Sequence, residues 1–430
     1  MIKKKPETIP SKTRIMRTVH SNRILLKARA HLTLSLIFMI LIYNMGLISS
    51  TLEELSANDY TVTLLPEEMP LGLSYGSGAW DGKYAYVFGG WDGPHASGVI
   101  VKYDPINHLA TALFDNLPSP RWGTSAVYAN GTIWGRHNVC YIFGGYYASI
   151  EVVRFWPEDG WRDIYEYIPG RMDTSAIWDG KAAYLFGGKE APGESIPSAF
   201  LNEILKFEPP MTSKILPAKL PHVRAHTSAV WDGENAYIFG GGYINEALEY
   251  EFLDDILKFN LVTNEITIME AKLPTPRAYT SAIWDGHTAY IFGGRTIING
   301  SVTYLDEILM YNPLVDEVSV IPQNLPTPRE GTVVVWTGSA AYIFGGRGKN
   351  ANVQIVMMSH ETVRPSTTFP WHTIILILTL AGGATVLFSI YAVKKRISKS
   401  KEKTRREHVR RLTPPSKQIL HQHHFYQLFI

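Results

Sequence analysis

Apolar residues along this chain fall in runs of about five, rich in β-branched and aromatic types and separated by Gly, Asp, Asn and Pro. Such runs are too short for helices and read as strands bounded by turns. One stretch shows the pattern in full: Thr227–Trp231 (TSAVW), Ala236–Gly240 (AYIFG), Asp255–Phe259 (DILKF) and Glu265–Met269 (EITIM). These four strands recur as a unit. WDGKYAYVFGG at 80–90 returns as WDGKAAYLFGG at 178–188, WDGENAYIFGG at 231–241 and WDGHTAYIFGG at 284–294. Gly-Gly pairs stand at 89/90, 144/145, 187/188, 240/241, 293/294 and 345/346, with spacings of 55, 43, 53, 53 and 52 residues. A period near 50 indicates a propeller or solenoid.

The connection between the first two strands is Asp-Gly at 81/82, 179/180, 232/233 and 285/286, Asn130-Gly131 in the second unit and Thr337-Gly338 in the sixth. Asp-Gly and Asn-Gly supply the positive φ that tight hairpins need. The glycine pair lets neighbouring backbone approach where a side chain would collide. Trp80, Trp178, Trp231, Trp284 and Trp336, with Tyr86, Tyr141, Tyr184, Tyr237, Tyr290 and Tyr342, are expected to fill the space between sheets. The sixth unit ends early, with one strand around Asn352–Met358 after Gly346. Its missing fourth strand is expected from Tyr60–Leu65 (YTVTLL), whose trailing PEEMP imitates the end of ITIMEAKLP at 266–274. That pairing would close a ring and leave no open sheet edge there.

A Tyr-Ile/Val-Phe strand ending in paired glycine, an aromatic residue before it and an Arg ahead of the first strand resemble the kelch repeat. The resemblance recurs six times over about 300 residues. It implies one four-stranded blade per repeat around a central channel. The expected fold class is all-β: a six-bladed kelch-type β-propeller closed by an N-terminal strand, plus a C-terminal transmembrane helix.

Charge is segregated. Residues 1–31 carry nine Lys/Arg and one Glu, residues 51–368 carry 21 Lys/Arg and 36 Asp/Glu, and residues 394–430 carry eleven Lys/Arg and two Glu. An acidic body argues against nucleic acid as a partner. Two apolar segments separate the blocks. Residues 32–48 have the length of a signal-peptide core or a marginal span, and 370–393 is long enough for the roughly 20 residues a span needs. Basic residues on their outer sides place both ends in the cytoplasm and the propeller outside. The expected organisation is a basic N-terminus (1–31), a signal peptide or signal anchor (32–48), a linker (49–58), the propeller (59–360), a linker (361–369), the transmembrane helix (370–393) and a basic tail (394–430). The tail's ten basic residues between Lys394 and Arg411 suit anionic lipid headgroups. The bilayer and an external protein or glycan are the expected partners; nothing in the sequence sets an oligomeric state.

Candidate chemistry collects on one face. Arg121, Arg171, Arg224, Arg277 and Arg329 precede five of the six innermost strands, and Leu73 holds the place in the first repeat. Five guanidiniums at a channel mouth would either clamp a carboxylate, sulfate or phosphate, or pair with neighbouring carboxylates and carbonyls. The resemblance keeps the first alternative open, since matching arginines in some kelch relatives bind acidic peptides. Long second-to-third connections at 189–201, 242–253 and 295–305 are a second candidate, with Tyr243, Glu249 and Tyr250 as specificity residues. Asn130 and Asn299 open glycosylation tripeptides. The single cysteine, Cys140, reads as a small buried hydrophobe rather than half of a radical cofactor. The body's histidines show no metal spacing, and only His226, near the arginine face, stands out. No metal, cofactor or catalytic residue is expected. A binding module is the leading reading, against a carbohydrate-active enzyme or a structural envelope protein.

Overall fold

The computed structural model describes residues 60–360 except 134–135, 191–198, 211 and 349–352, and beyond these only Lys394, Lys395 and Ser398. Six four-stranded antiparallel sheets follow one another along the chain. In the fourth blade the strands are Ser228–Trp231, Asn235–Phe239, Asp255–Asn260 and Glu265–Lys272, paired in that order. The innermost strands contact one another in a ring, the sixth (Val333–Trp336) touching the first (Ser77–Trp80). The all-β six-bladed propeller expected from the sequence is therefore what forms. The segments expected to meet the membrane, 32–48 and 370–393, lie outside the described residues. Among the described residues, no helix is long and apolar enough to cross a membrane.

The repeat explains itself residue by residue. In the Asp-Gly turns the Asp accepts from the backbone two and three residues on, as when Asp285 Oδ1 takes the amides of His287 (2.7 Å) and Thr288 (2.8 Å). Its other oxygen accepts from the Tyr of the next strand, Tyr290 Oη to Asp285 Oδ2 at 3.0 Å. One aspartate thus fixes both the turn and the aromatic that packs against it. That Tyr then meets an aromatic on the third strand of the following blade: Tyr86 with Phe155, Tyr141 with Phe207, Tyr184 with Phe259, Tyr237 with Tyr311 and, across the seam, Tyr342 with Tyr103. The recurring tryptophans are half-buried rather than enclosed. Cys140 sits where the other blades carry Ala85, Ala183, Ala236, Ala289 and Ala341, fully buried and opposite Phe155.

The sixth blade departs from this scheme because its third strand, Gln354–His360, places Met358 at the aromatic position opposite Ala341. The N-terminal strand Tyr60–Glu68 supplies the substitute. It pairs antiparallel with Gln354–His360, and Tyr60 bonds Tyr290 through their hydroxyls at 2.6 Å, ring centroids 5.6 Å apart. Both strands differ from the sequence expectation by a few residues. The N-terminal strand runs through Pro66 because it is outermost and a register shift between Leu64 and Glu68 absorbs the missing donor. Asn352 and Asn350 lie outside the described residues.

Candidate functional site

The Gly-Gly pairs and the arginines meet at one end of the channel. Each segment ahead of an innermost strand bridges two blades. Its backbone belongs to the preceding blade: the amide of the second glycine donates to the Arg carbonyl, as Gly241 to Arg277 and Gly294 to Arg329, both at 2.9 Å. A Cβ on Gly89 would lie 2.6 Å from the Arg121 oxygen and φ there is +60°, so glycine is obligatory. The guanidinium belongs to the following blade. Arg224 donates to the Gly240 carbonyl (3.2 Å) and to both oxygens of Asp255 (2.6 and 2.9 Å). Arg277 reaches Gly293 and Glu307, and Arg121 reaches Gly144 and Glu151. Arg171 lies 3.5 Å from Glu203, and Arg329 meets Gly345 (3.1 Å) and Gln354 (2.6 Å).

All five arginines are at most 1% exposed. They do not line an open mouth, and their donors are turned onto carbonyls and carboxylates: of the two alternatives the sequence left open, the geometry is that of blade-to-blade staples. Leu73 fills the slot in the first blade, its carbonyl accepting from Gly346 at 2.9 Å to close the ring. Arg329 is distinctive. Its side-chain partner at the start of the third strand is Gln354 where the others have Glu or Asp, and burial pulls its basicity down to about 10. Gln354→Glu is therefore expected to stabilise the fold by about 1 kcal/mol, the added strength of a bond between two ionised groups over one with a single charge. A calorimetric melting temperature at or below that of the parent would refute this.

One step beyond each arginine the repeat stops being uniform, and this is the surface the motif analysis missed. The second residue after each arginine slot is Tyr75, Gly123, Asp173, His226, Tyr279 and Gly331, all with φ between 57° and 67°. Their main chains form a closed ring: Gly123 donates to Tyr75, Asp173 to Gly123, His226 to Asp173, Tyr279 to His226, Gly331 to Tyr279 and Tyr75 to Gly331, at 2.7–2.9 Å. The residue after each Gly-Gly pair varies likewise: Trp91, Tyr146, Lys189, Gly242, Arg295 and Arg347. The backbone is invariant while the pair of residues at these two places differs from blade to blade. The available signal was six aligned positions carrying four residue types (Tyr, Gly, Asp and His) beside an otherwise repeated motif.

These side chains divide the mouth. On one arc Tyr75, Trp91, Trp122 and Tyr146 are half-buried aromatics in contact. Trp122 stacks on Tyr146 at 5.2 Å and meets Trp91 at 6.2 Å and Tyr75 at 5.9 Å. Tyr75, Trp91 and Trp122 border a cavity of about 520 Å³ lined also by Ser74, Gly93 and Arg347. On the other arc two buried carboxylates are neutralised from above. Asp173 meets Lys189 at 2.9 Å, and Glu330, wholly buried, accepts from Tyr75 at 2.5 Å and faces Arg295 at 3.3 Å. Burial raises the Glu330 carboxyl above its usual range against the pull of Tyr75, Arg295 and Arg347. For Asp173 burial also works upward, but His226, once protonated at low pH, and Lys189 outweigh it and hold the group at about 2.

His226 stacks on Tyr279 at 3.7 Å with its Nδ1 3.5 Å from Asp173 Oδ1. Burial, with Lys189 and Arg295 nearby, lowers its basicity despite Asp173. The folded ring thus stays neutral at a pH where the unfolded chain, at 6.5, takes up a proton. Stability is then lost as pH falls below about 6.5, by up to about 1.4 kcal/mol per pH unit. The measurement is the fall in melting temperature between pH 7.5 and 5.5, expected to be smaller in His226→Gln than in the parent. Equal slopes would mean His226 is not the group responsible.

The long connections are partly ordered hairpins rather than plain loops. Gly242–Ile244 pairs with Tyr250–Phe252, and Arg295–Ile298 with Ser301–Tyr304. Tyr250 folds over the mouth, with His226 at 6.3 Å, Tyr279 at 6.5 Å and Phe200 at 6.3 Å. Tyr243 lies along its own hairpin, bonding Glu251 at 2.9 Å, and Glu249 is exposed with its amide on Asn245. Of the three loop residues singled out, only Tyr250 joins the mouth. Asn130 and Asn299 are exposed, Asn299 in the tight turn of its hairpin. Among the described residues, no group of three or more His, Cys, Asp or Glu could hold a metal.

Comparison with known proteins agrees with this architecture. Residues 160–346 match the KLHDC2/KLHL20/DRC7 Kelch-repeats domain. A "Kelch domain-containing protein" of Archaeoglobus fulgidus (strain ATCC 49558 / DSM 4304 / JCM 9628 / NBRC 100126 / VC-16) is 31% identical over 146 residues, 33% of this chain and 42% of that protein. The chain thus spans less than half the length of that relative. With six glycine-paired blades in one closed ring, the described domain is a kelch-repeat β-propeller, a fold that generally serves as an interaction scaffold.

Proposed function

We propose that this protein is a membrane-anchored binding protein whose propeller stands outside the cell and takes an external protein or glycan at the face bearing the Gly-Gly pairs. The observation that carries the reading is the mouth: an invariant ring of backbone hydrogen bonds whose residues, Tyr, Gly, Asp, His, Tyr and Gly in turn, do not follow the repeat. Rigid framework with variable presentation is how binding scaffolds separate folding from specificity. Topology supports the direction of display. Tyr60 and His360 pair with each other at the end of the sixth blade near the 337–340 turn, opposite the Gly-Gly end. Flanking segments that depart there leave the mouth facing away from the bilayer. The acidic body between two basic-flanked apolar segments supports an external location, and the exposure of Asn130 and Asn299 suits glycosylation there.

Cys140 is fully buried, which makes a direct topology test available. In the full chain, Val262→Cys, at a position 81% exposed, is expected to react with a membrane-impermeant maleimide on intact cells. Labelling only after lysis would place the propeller inside and end the external reading.

A further inference from the structure

We infer that the aromatic arc of the mouth is a subsite for an acidic sugar, a uronate unit of a glycan, with Trp91 and Trp122 against its ring and Arg347 on its carboxylate. The inference rests on the proposed reading of the mouth as the binding face and names the ligand class.

Charge decides the first half. Lys189 is held by Asp173 and Arg295 by Glu330, while the exposed Arg347 lies against the phenol of Tyr75 at the cavity wall. Of these three cations Arg347, which Glu330 attracts from a greater distance, is the one with no ion pair of its own among the described residues, and it sits beside the cavity. Beyond the one it turns to Tyr75, its guanidinium has donors enough to take a carboxylate in two parallel bonds.

Main-chain bonding decides the second half. A peptide docked in extended form registers itself through backbone N–H and C=O groups. At this mouth the six ring positions spend theirs on one another. What faces a ligand is therefore side-chain hydroxyl, guanidinium and aromatic surface. The indoles of Trp91 and Trp122 stand at 74° to each other, and Trp122 stands at 55° to Tyr75. Flat apolar surfaces at steep mutual angles suit the C–H faces of a pyranose, whose hydroxyls need partners only around the rim. The cavity of about 520 Å³ falls in the range of roughly 300–1,000 Å³ typical of small-ligand sites. Gly93 at its lip has open space where a side chain would stand.

The test is titration of the purified full chain, following tryptophan fluorescence and heat, with an oligogalacturonate, the neutral oligogalactose of equal length, and an acidic peptide with a free C-terminal carboxylate. Arg347→Gln and Trp122→Phe are run in parallel, with Val262→Cys as a remote control. The oligogalacturonate is expected to bind at least about tenfold more tightly than the neutral sugar, and to lose about tenfold in Arg347→Gln and a similar factor in Trp122→Phe. Equal binding of the charged and neutral sugars, or binding indifferent to both substitutions, overturns the subsite. If the peptide alone binds, and does so through Arg347, the mouth remains a binding face and the sugar assignment is wrong. If none of the three ligands responds to either substitution, the reading of the mouth falls with it.

Discussion

A chain lacking residues 60–68 will fail to form a stable propeller. This is the largest effect expected of any change to the domain. The deletion removes the outermost strand of the sixth blade, and with it Tyr60 and Leu65, 5% and 8% exposed. Each such side chain contributes about 1.5–3 kcal/mol by burial. The Tyr60–Tyr290 contact, which stands in for an aromatic pair present at the other seams, goes as well. The ladder partners from Val356 to His360 are left open. Those losses together approach the roughly 5–15 kcal/mol by which a domain is stable. An unpaired edge in a ring also invites pairing with another chain. The expected observations are loss of a cooperative melt and aggregation on purification. A synthetic peptide of residues 60–70 added during refolding should restore part of the melt, because the remaining blades retain their own four strands. A deletion variant melting within a few degrees of the parent would mean that the ring is held by the blade interfaces alone.

That the ring closes this way is readable in the sequence, and the reason is physical. Strand length, turn chemistry and the position of paired glycines are dictated by the backbone, and the backbone is the same in every blade. Gly89 has to be glycine because the Arg121 carbonyl fills the space of a side chain. Asp285 has to accept two amides and a phenol. Such constraints print a repeating text. Arg277 was readable as part of that text, but its direction was not. The same residue pattern serves an exposed anion clamp or a buried staple, and only the distance to Glu307 separates them. The mouth was the least legible part. Tyr75, Asp173, His226 and Tyr279 hold equivalent places in the ring, yet their backbone φ near +60° is ordinarily a glycine signal, and four non-glycine residues there give no pattern to search for. Tyr250 was legible as a loop aromatic, and its stacking on Tyr279 was not, since that contact joins residues of different blades.

Arg277→Leu is expected to cost about 2–4 kcal/mol, below the full penalty for leaving a charge buried and set mainly by the carbonyls it leaves unpaired. The guanidinium is fully buried and donates to Thr275 (3.0 Å), Gly293 (3.4 Å) and Glu307 (2.6 Å). Glu307 is 35% exposed at its side chain and regains water when its partner is lost. The two carbonyls are in a different position, since unpaired buried acceptors cost about 1–3 kcal/mol each. The first blade indicates how the loss can be recovered. There Leu73 takes the arginine slot, and the residue aligned with Glu307 is Val99, one place before Ile100 opposite Phe88. Both belong to a single apolar cluster with Met69 and Val101. The protein itself thus carries one staple made entirely of hydrocarbon. Replacing a whole buried ion pair by apolar residues is often neutral, whereas removing one partner is not. Arg277→Leu combined with Glu307→Val is therefore expected to regain at least half of the single variant's loss, read as chemical-denaturation midpoints at constant slope. If the double variant is as unstable as the single one, the arginines are held in place by their carbonyl bonds rather than by charge pairing, and the first blade is stable for some reason other than its leucine.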